Sequence, residues 1–387
     1  MENITRRSAI GSVAATWLVV RPETAFGTQA NSLPGLGIIG TGSRGRYVGT
    51  IFAKDGRTRL AAICDVQDSS IEAAKKQLPG AAQARVCRDY QELLNGADID
   101  CVLIATPIFL HPDHFDAAVS ARKHIYCEKA AAADVAGVKR ILRSGDRADR
   151  SRHIQFGFQQ RYGPEYLAAE RIITSGRLGE LILMRSHWMS GGQVKPSAQP
   201  MPVYASLAEE KLRNWYRWKE TSGDFIVEQD CHGVDVLNWY AGSRPLLASG
   251  AGGQKIRPYG DCNDHANITY EYPKGLRGFL HGCQLAQGWS LVNEQFFGTE
   301  GTIETSRQYY RWHRPGAGPG GQTGVEEVRS KREPTFDAVE YFMDHVLGGK
   351  PENSTVTAAE STLTAMLGLL AVETRRVVTW DEMMRLA

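Results

Sequence analysis

The segment Gly40-Thr41-Gly42-Ser43-Arg44-Gly45 follows the apolar run Gly37-Ile38-Ile39 and precedes Val48, Ile51 and Phe52 at helical spacing. A G-x-G-x-x-G stretch set between a strand and a helix has the chemistry of a pyrophosphate cradle. The first glycine permits the tight turn, the second lets backbone approach the anion, and the third lets the helix pack on the strand. Ser43, Arg44 and Gly45 open that helix, whose N-terminal N–H groups and partial positive charge favour a phosphate. Asp65 stands twenty residues after Gly45, where a carboxylate accepts hydrogen bonds from an adenosine ribose. It repels a 2′-phosphate and so favours NAD over NADP, with Arg44 as the nearby group suited to the phosphate. A second polar set, Glu228, His232 and Asp235, has i, i+4, i+7 spacing and is predicted on one helix face. A solvated face with an i, i+4 ion pair fits that spacing, as does a face turned into a cleft. The preceding Gly223-Asp224 turn and apolar Phe225-Ile226-Val227 favour the cleft. A free imidazole near neutral pH makes His232 a candidate general base, and Asp235 either orients it or is a structural acceptor.

The elements that must position these groups are legible as two patterns. From Leu36 to Phe158, short apolar runs alternate with amphipathic segments: strands at Leu60–Cys64, Val102–Ala105, Ile125–Cys127 and Ile154–Phe158, helices at Asp113–Ala121 and Val135–Arg147. Repeated β-α units with near-continuous apolar strands predict a doubly wound parallel sheet with helices on both faces. After a helix at Pro164–Thr174, strands dominate from Leu181 to Glu304, separated by turns such as Pro273-Lys274-Gly275, as in an antiparallel meander. Residues 315–324 read as a Gly/Pro-rich surface loop, and two helices, Ala338–Leu347 and Ala358–Arg375, close the chain. The expected division is a Rossmann domain over residues 31–158 and an α/β domain over 159–387, whose last helix packs back on the first.

Composition narrows the partners. With 45 Lys plus Arg against 43 Asp plus Glu and no long basic run, the chain lacks the footprint of a nucleic-acid binder. No apolar stretch is expected to reach the roughly 18 to 20 residues that cross a bilayer. Seven cysteines without a C-x-x-C pair imply neither a disulfide framework nor a metal site. The opening Thr5-Arg6-Arg7-Ser8, the apolar run Gly11–Val20 and the small residues at Thr28-Gln29-Ala30 match a twin-arginine export signal over residues 1–30. The plainer alternative is a surface helix that carries two arginines. Export by that route moves folded proteins, so the expectation is a periplasmic protein that carries its nucleotide cofactor along.

Four further segments occur in a specific order: Thr106-Pro107 followed by His111, then Cys127-Glu128-Lys129, then Gly157-Phe158 with Arg161, then Glu228-x-x-x-His232-x-x-Asp235. On these the chain resembles the Gfo/Idh/MocA oxidoreductases, the family of glucose–fructose oxidoreductase and inositol dehydrogenase. The resemblance implies a Rossmann domain joined to an α/β domain built on a large, mostly antiparallel sheet that commonly forms a homodimer or homotetramer interface. It implies that Thr106, Pro107, His111, Glu128 and Lys129 line the cofactor, with His111 closing over the nicotinamide side and His114 left on a helix surface. Lys129 is implied to meet both the nicotinamide ribose and the reacting hydroxyl, while His232 takes the hydroxyl proton. Two departures matter. Ala130 stands where the family has proline, and since a non-proline cis bond costs about 2.5–4 kcal/mol, a different local backbone is expected there. Glu228 replaces the family's Asp and reaches one methylene further, toward a different position on the substrate.

Arg161, Tyr162 and Trp188 are expected at strand ends facing the cleft. Trp215-Tyr216-Arg217-Trp218 is either a sugar-binding lip or a mini-core under a loop, so Trp215 and Trp218 are candidate substrate contacts. Three functions fit. The first is an NAD-dependent oxidoreductase acting on a ring hydroxyl of a sugar or glycoside. The second is a redox-neutral glycoside hydrolase that oxidises, eliminates, adds water and reduces. The third is a non-catalytic sensor that retains NAD.

Overall fold

A computed structural model describes residues 33–191, 204–286, 288–317 and 319–386. The proposed export signal lies outside them. Six short strands come first: β1 (Gly35–Ile39), β2 (Arg59–Cys64), β3 (Arg85–Cys87), β4 (Cys101–Ile104), β5 (His124–Cys127) and β6 (Ile154–Phe156). They form one parallel sheet in the order β3-β2-β1-β4-β5-β6. Both faces of this sheet are covered, so β1, β4, β5 and β6 are buried along their whole length and read as continuous apolar runs. The order reverses between β1 and β4, and the carboxyl ends of these two strands open the crevice where such sheets bind ligands. The helix Pro334–Leu347 returns from the far end of the chain to this sheet. Its Phe342 meets Phe52 and Tyr126 edge-on, at centroid distances of 5.7 and 5.8 Å.

The remaining strands are β7 (Leu181–Met189), β8 (Leu247–Gly253), β9 (His265–Glu271), β10 (Arg277–Cys283), β11 (Leu291–Gly298), β12 (Gly301–Ser306), β13 (Tyr309–Arg314), β14 (Gly324–Arg329) and β15 (Val378–Thr379). They build a nine-stranded sheet in the order β14-β13-β12-β11-β7-β10-β9-β8-β15, antiparallel except where β7 pairs with β10. The chain is therefore α/β, a Rossmann domain followed by a domain on a mostly antiparallel sheet. One face of this second sheet is packed. Along β10, Gly278, Leu280 and Gly282 are buried while the alternate residues stay partly exposed, the period-two signature of a half-covered sheet. The helices Cys231–Ala241 and Thr355–Thr374 press against the packed face. A Cβ at Gly233 would stand 1.9 Å from Ser186 Oγ, and one at Gly368 would stand 2.3 Å from the Tyr270 hydroxyl.

Two expectations are corrected. Contrary to the expectation of no such stretch, Thr355–Thr374 is long and apolar enough to cross a membrane by length and composition. It lies mostly buried as the core helix between the two sheets, with Ala359, Ala365, Leu367 and Ala371 fully enclosed. The described residues of the Gly/Pro-rich stretch 315–324 are nearly all exposed, as expected, and the stretch leads from β13 to β14, a mostly exposed strand paired with it. The Lys129–Ala130 bond is cis, so the expected departure of the local backbone does not occur.

Glu165 occupies the first turn of the helix Pro164–Thr174 with both carboxylate oxygens buried, and burial pushes its pKa up to about 7. A carboxyl raised in the folded state binds its proton more tightly there than in the unfolded chain. Stability is then greatest below the unfolded value and is lost as pH rises toward and through 7. Glu165→Gln should gain about 1–2 kcal/mol over wild type at pH 8 relative to the difference at pH 5. Denaturant unfolding at the two pH values measures this, and an equal effect at both would refute the assignment.

Candidate active site

The glycine loop leaves β1 and turns into the helix Ser43–Asp55. Each glycine answers a different demand. Gly40 sits at φ +89°, and a Cβ there would lie 2.7 Å from the carbonyl group of Ala105. A Cβ at Gly45 would lie 2.0 Å from the Gly40 carbonyl oxygen, so the helix can approach the loop only if this residue is bare. Gly42 differs from both: its φ of −59° suits any residue and nothing lies within 4 Å of a Cβ. The space beside Gly42 opens into a cleft of about 660 Å³ that also takes in Ser43, Asp65, Thr106, Pro107, Glu128, Lys129 and Glu228. The helix has no side-chain N-cap and no acidic residue in its first turn, so its orphan N–H groups and dipole face the cleft uncompensated. A loop of this shape fits a dinucleotide diphosphate, held by Gly40, Gly42 and the N–H groups from Ser43 onward.

Asp65 follows β2, its Oδ2 accepting from Thr41 N at 2.8 Å and Thr41 Oγ1 at 3.1 Å, and its Oδ1 accepting from Gln67 N at 2.9 Å. Arg44 points away from this end. Its Nε donates to Glu128 Oε1 at 2.9 Å, beside Lys129, so it stands apart from the position where a 2′-phosphate would meet it. The guanidiniums near Asp65 are Arg88, which donates to the Asp65 carbonyl, and Arg213, which donates to Gln67 Oε1.

Lys129 emerges from the end of β5 and is fixed by one residue. Its Nζ donates to the backbone carbonyl of Glu228 and, at 3.0 Å, to Glu228 Oε1. Burial alone would favour the neutral amine, but the Glu228 carboxylate, aided by Cys231 and Glu128, more than offsets this and holds the ammonium above its usual range. His232 lies next along the chain, its ring stacked on Trp188 at 5.5 Å and met edge-on by Phe158 at 6.1 Å. Its Nδ1 is buried without a hydrogen-bond partner. Burial, then the positive charges of Lys129, Arg307 and Arg44, push the imidazole well below its ordinary range, so it is neutral and able to take a proton. Gly157 serves this arrangement from behind: a Cβ there would lie 2.8 Å from Glu128 Oε2.

Several expected placements do not hold. Glu228, His232 and Asp235 do not share one helix face. The helix Asp224–Glu228 ends at Glu228, Gln229 departs at φ −110°, and a second helix, Cys231–Ala241, carries the other two. Asp235 does not orient His232. It is buried and grips Arg161 through both oxygens, at 2.8 to 3.1 Å, while accepting from Ser361 Oγ at 2.6 Å. Arg161 is thereby committed to an ion pair and to the Trp239 ring rather than to an open cleft. Tyr162 packs on Tyr341 at 4.8 Å, under the returning helix. Trp218 carries the Lys211 ammonium over its ring and does not line the cleft, whereas Trp215 does. His111 is fully buried, with Nδ1 2.8 Å from the Ala130 oxygen and Nε2 3.0 Å from the Thr106 oxygen, so it ties two turns together instead of closing over a ligand. His114, expected on a surface, is instead buried in the cleft wall against Thr106 Oγ1 and Tyr90. Its spacing with His111, Phe115 and Ala118 marks the inward face of its helix, a signal that could have found it.

Comparison with known proteins assigns the chain. Residues 35–156 match the model of the oxidoreductase family with an NAD-binding Rossmann fold, and residues 166–304 match the GFO/IDH/MocA C-terminal domain. The chain belongs to the Gfo/Idh/MocA family. Inositol 2-dehydrogenase of Salmonella typhimurium is 28% identical over 183 residues, 47% of this chain and 52% of that protein. The matched part thus spans about half the length of the curated relatives. Among solved structures, levoglucosan dehydrogenase in complex with NADH and levoglucosan superposes with a TM-score of 0.77 at 17% identity, covering 89% of this chain and 99% of that one. Myo-inositol 2-dehydrogenase from Lactobacillus plantarum gives 0.71 at 20% identity, covering 90% and 99%. At such identities the structures establish a shared fold.

As a Gfo/Idh/MocA protein, the chain yields two predictions at this site. Gly42→Ala should fold with unchanged thermal stability yet bind NAD at least about tenfold more weakly, since the methyl enters the cradle rather than the core. Gly45→Ala should instead lose about 1–3 kcal/mol of stability through the clash with the Gly40 carbonyl. Calorimetric binding and melting of both variants check the pair, and a melting loss in Gly42→Ala would reverse the reading of the loop. The second concerns pH. A depressed imidazole pKa keeps His232 deprotonated as pH falls through 6.5, so the acid limb of kcat/KM should lie below the ordinary histidine range. A limb near 6.5 that vanishes in His232→Gln would contradict this.

Proposed function

We propose that the chain is an NAD-dependent dehydrogenase that oxidises a ring hydroxyl of a sugar or glycoside to a ketone. The observation that carries this reading is a Lys129 ammonium on the wall of the glycine-loop cleft, fixed there by Glu228, with the buried His232 imidazole close enough to feel its charge. The names of the relatives, inositol 2-dehydrogenase and levoglucosan dehydrogenase, supply the substrate class. When bound, the dinucleotide supplies the hydride acceptor. Lys129 places positive charge where an alcohol oxygen gains electron density, and its contact with Glu228 keeps that charge in one position as the bond breaks. His232 accepts the hydroxyl proton, and its indole and phenyl neighbours exclude water from the ring.

Three further parts belong to the same proposal. Residues 1–30 direct export of the folded protein to the periplasm. The cofactor is retained through turnover, as a compartment poor in free nucleotide requires. Copies associate through the unpacked face of the nine-stranded sheet, where Leu183, His187, Phe279 and Phe297 remain only partly covered.

The test uses the full chain recovered from the periplasm. Denaturation should release a nicotinamide dinucleotide, and glycosides or polyols should generate the absorbance of reduced nicotinamide together with a keto-sugar. Cleaved aglycone without net reduction would replace this reading by redox-neutral glycoside hydrolysis. Lys129→Ala should lower kcat by about 10²–10³-fold while the cofactor stays bound, because the ammonium acts on charge that develops in the transition state. Full turnover in that variant would overturn the site.

A further inference from the structure

The cleft has a wall that the Rossmann domain does not provide. Opposite the glycine loop and Asp65, it is lined by Leu212, Arg213, Trp215 and Tyr216, about 150 residues later in the chain. These belong to the helix Leu207–Arg213 and the single turn Trp215–Arg217. One hydrogen bond ties the segment to the loop after β2: Arg213 Nη1 donates to Gln67 Oε1 at 2.9 Å. Gln67 in turn donates its backbone N–H to Asp65 Oδ1. The contact therefore falls at the ribose end of the crevice and not at the Lys129 end.

The segment is braced from behind. Ser206 caps the helix by accepting from Glu209 N at 3.1 Å, and Glu209 Oε2 reaches back to accept from Ala205 N at 3.1 Å. Asn214 Nδ2 donates to the Tyr204 hydroxyl at 2.8 Å, and Thr221 Oγ1 donates to the Trp215 carbonyl at 2.6 Å. The Arg217 guanidinium lies over Tyr259 at 3.9 Å, and Asp261 N donates to the Arg217 carbonyl. Gly260, at φ +70°, is bare where a Cβ would stand 2.1 Å from that same carbonyl. The second domain thus holds these side chains in place over a crevice that the first domain builds.

What they offer is an apolar side chain, two aromatic faces and a guanidinium, which together suit a flat heteroaromatic ring rather than a hydroxyl-rich one. We propose that Leu212, Arg213, Trp215 and Tyr216 form a clamp for the adenosine half of the dinucleotide, and that this clamp is what retains the cofactor. The inference rests on the reading of the cleft as a dinucleotide site and deepens it. It also reassigns Trp215, whose aromatic face serves the nucleotide and not the sugar.

The experiment separates the two halves of the ligand. Calorimetry on the full chain stripped of cofactor, with AMP and nicotinamide mononucleotide as probes, compares wild type with Trp215→Ala, Arg213→Ala and Trp218→Phe. Arg213 is exposed, so its variant guards against loss of folding. Removing the stacking face should weaken AMP by about five- to a hundred-fold and leave nicotinamide mononucleotide unchanged. Arg213→Ala should weaken AMP in the same direction, and Trp218→Phe, off the cleft, should weaken neither probe. AMP should also slow tryptic cleavage after Lys211 and Arg213 in wild type, read by mass spectrometry. Unchanged AMP affinity in both Trp215→Ala and Arg213→Ala, or a loss confined to nicotinamide mononucleotide, overturns the clamp while leaving the dehydrogenase reading intact. Wild type that binds neither NAD nor AMP overturns both.

Discussion

The attachment of the Lys129 ammonium to Glu228 governs the rest of the site. One residue grips it twice, by backbone carbonyl and by carboxylate, from 99 positions further along the chain. Lys129 follows a strand of the parallel sheet, and Glu228 ends a helix that packs into the second domain. The bond therefore fixes the charged group and the two domains in a single geometry. A buried ammonium without such a partner would shed its proton, so the charge and the domain arrangement depend on each other.

The helix break just after Glu228 makes this possible. If the chain continued as one helix, the Glu228 carbonyl would be consumed by an intrahelical bond four residues on. Ending the helix there frees that carbonyl for Lys129 and starts a new helix for His232. Asp230 sits in the break with both oxygens buried and unpartnered, packed where Gly282 leaves room for it. Burial, reinforced by the charges of Asp224 and Glu228, pushes its pKa well above the carboxylate range. Burial thus disfavours a second negative charge beside the ammonium, and that role falls to Glu228.

Much of this was legible in the sequence, for physical reasons that differ by element. The glycine loop was legible because backbone conformation and close approach each demand a bare Cα at a defined offset. The parallel strands were legible because burial on both faces makes them continuous apolar runs. β3 escaped notice because three residues carry no period, and with it went Arg88 and Tyr90, which line the cleft just beyond it. β14 escaped because its exposed face is charged and its partner strand is reached through glycines and proline. The helix break was invisible for another reason. Glu228 to Cys231 holds neither Gly nor Pro, so residue spacing continued smoothly across a point where the backbone did not.

The same break decides what surrounds the imidazole proposed as the base. In a Ser-His-Asp arrangement a carboxylate fixes the ring and stabilises the imidazolium that forms. Here the carboxylate at i+3, Asp235, belongs to Arg161 and Ser361, and His232 is held instead by stacking on Trp188 and an edge contact with Phe158. Those rings set orientation without adding negative charge, and burial, then the nearby cations, opposes protonation. A base built this way is weak in the resting site. It gains proton affinity only where negative charge develops beside it, on an alcohol oxygen losing its proton. The pairing of a fixed ammonium with an unassisted imidazole therefore suits transfer of a proton in step with oxidation, and it disfavours an imidazolium standing free in the cleft.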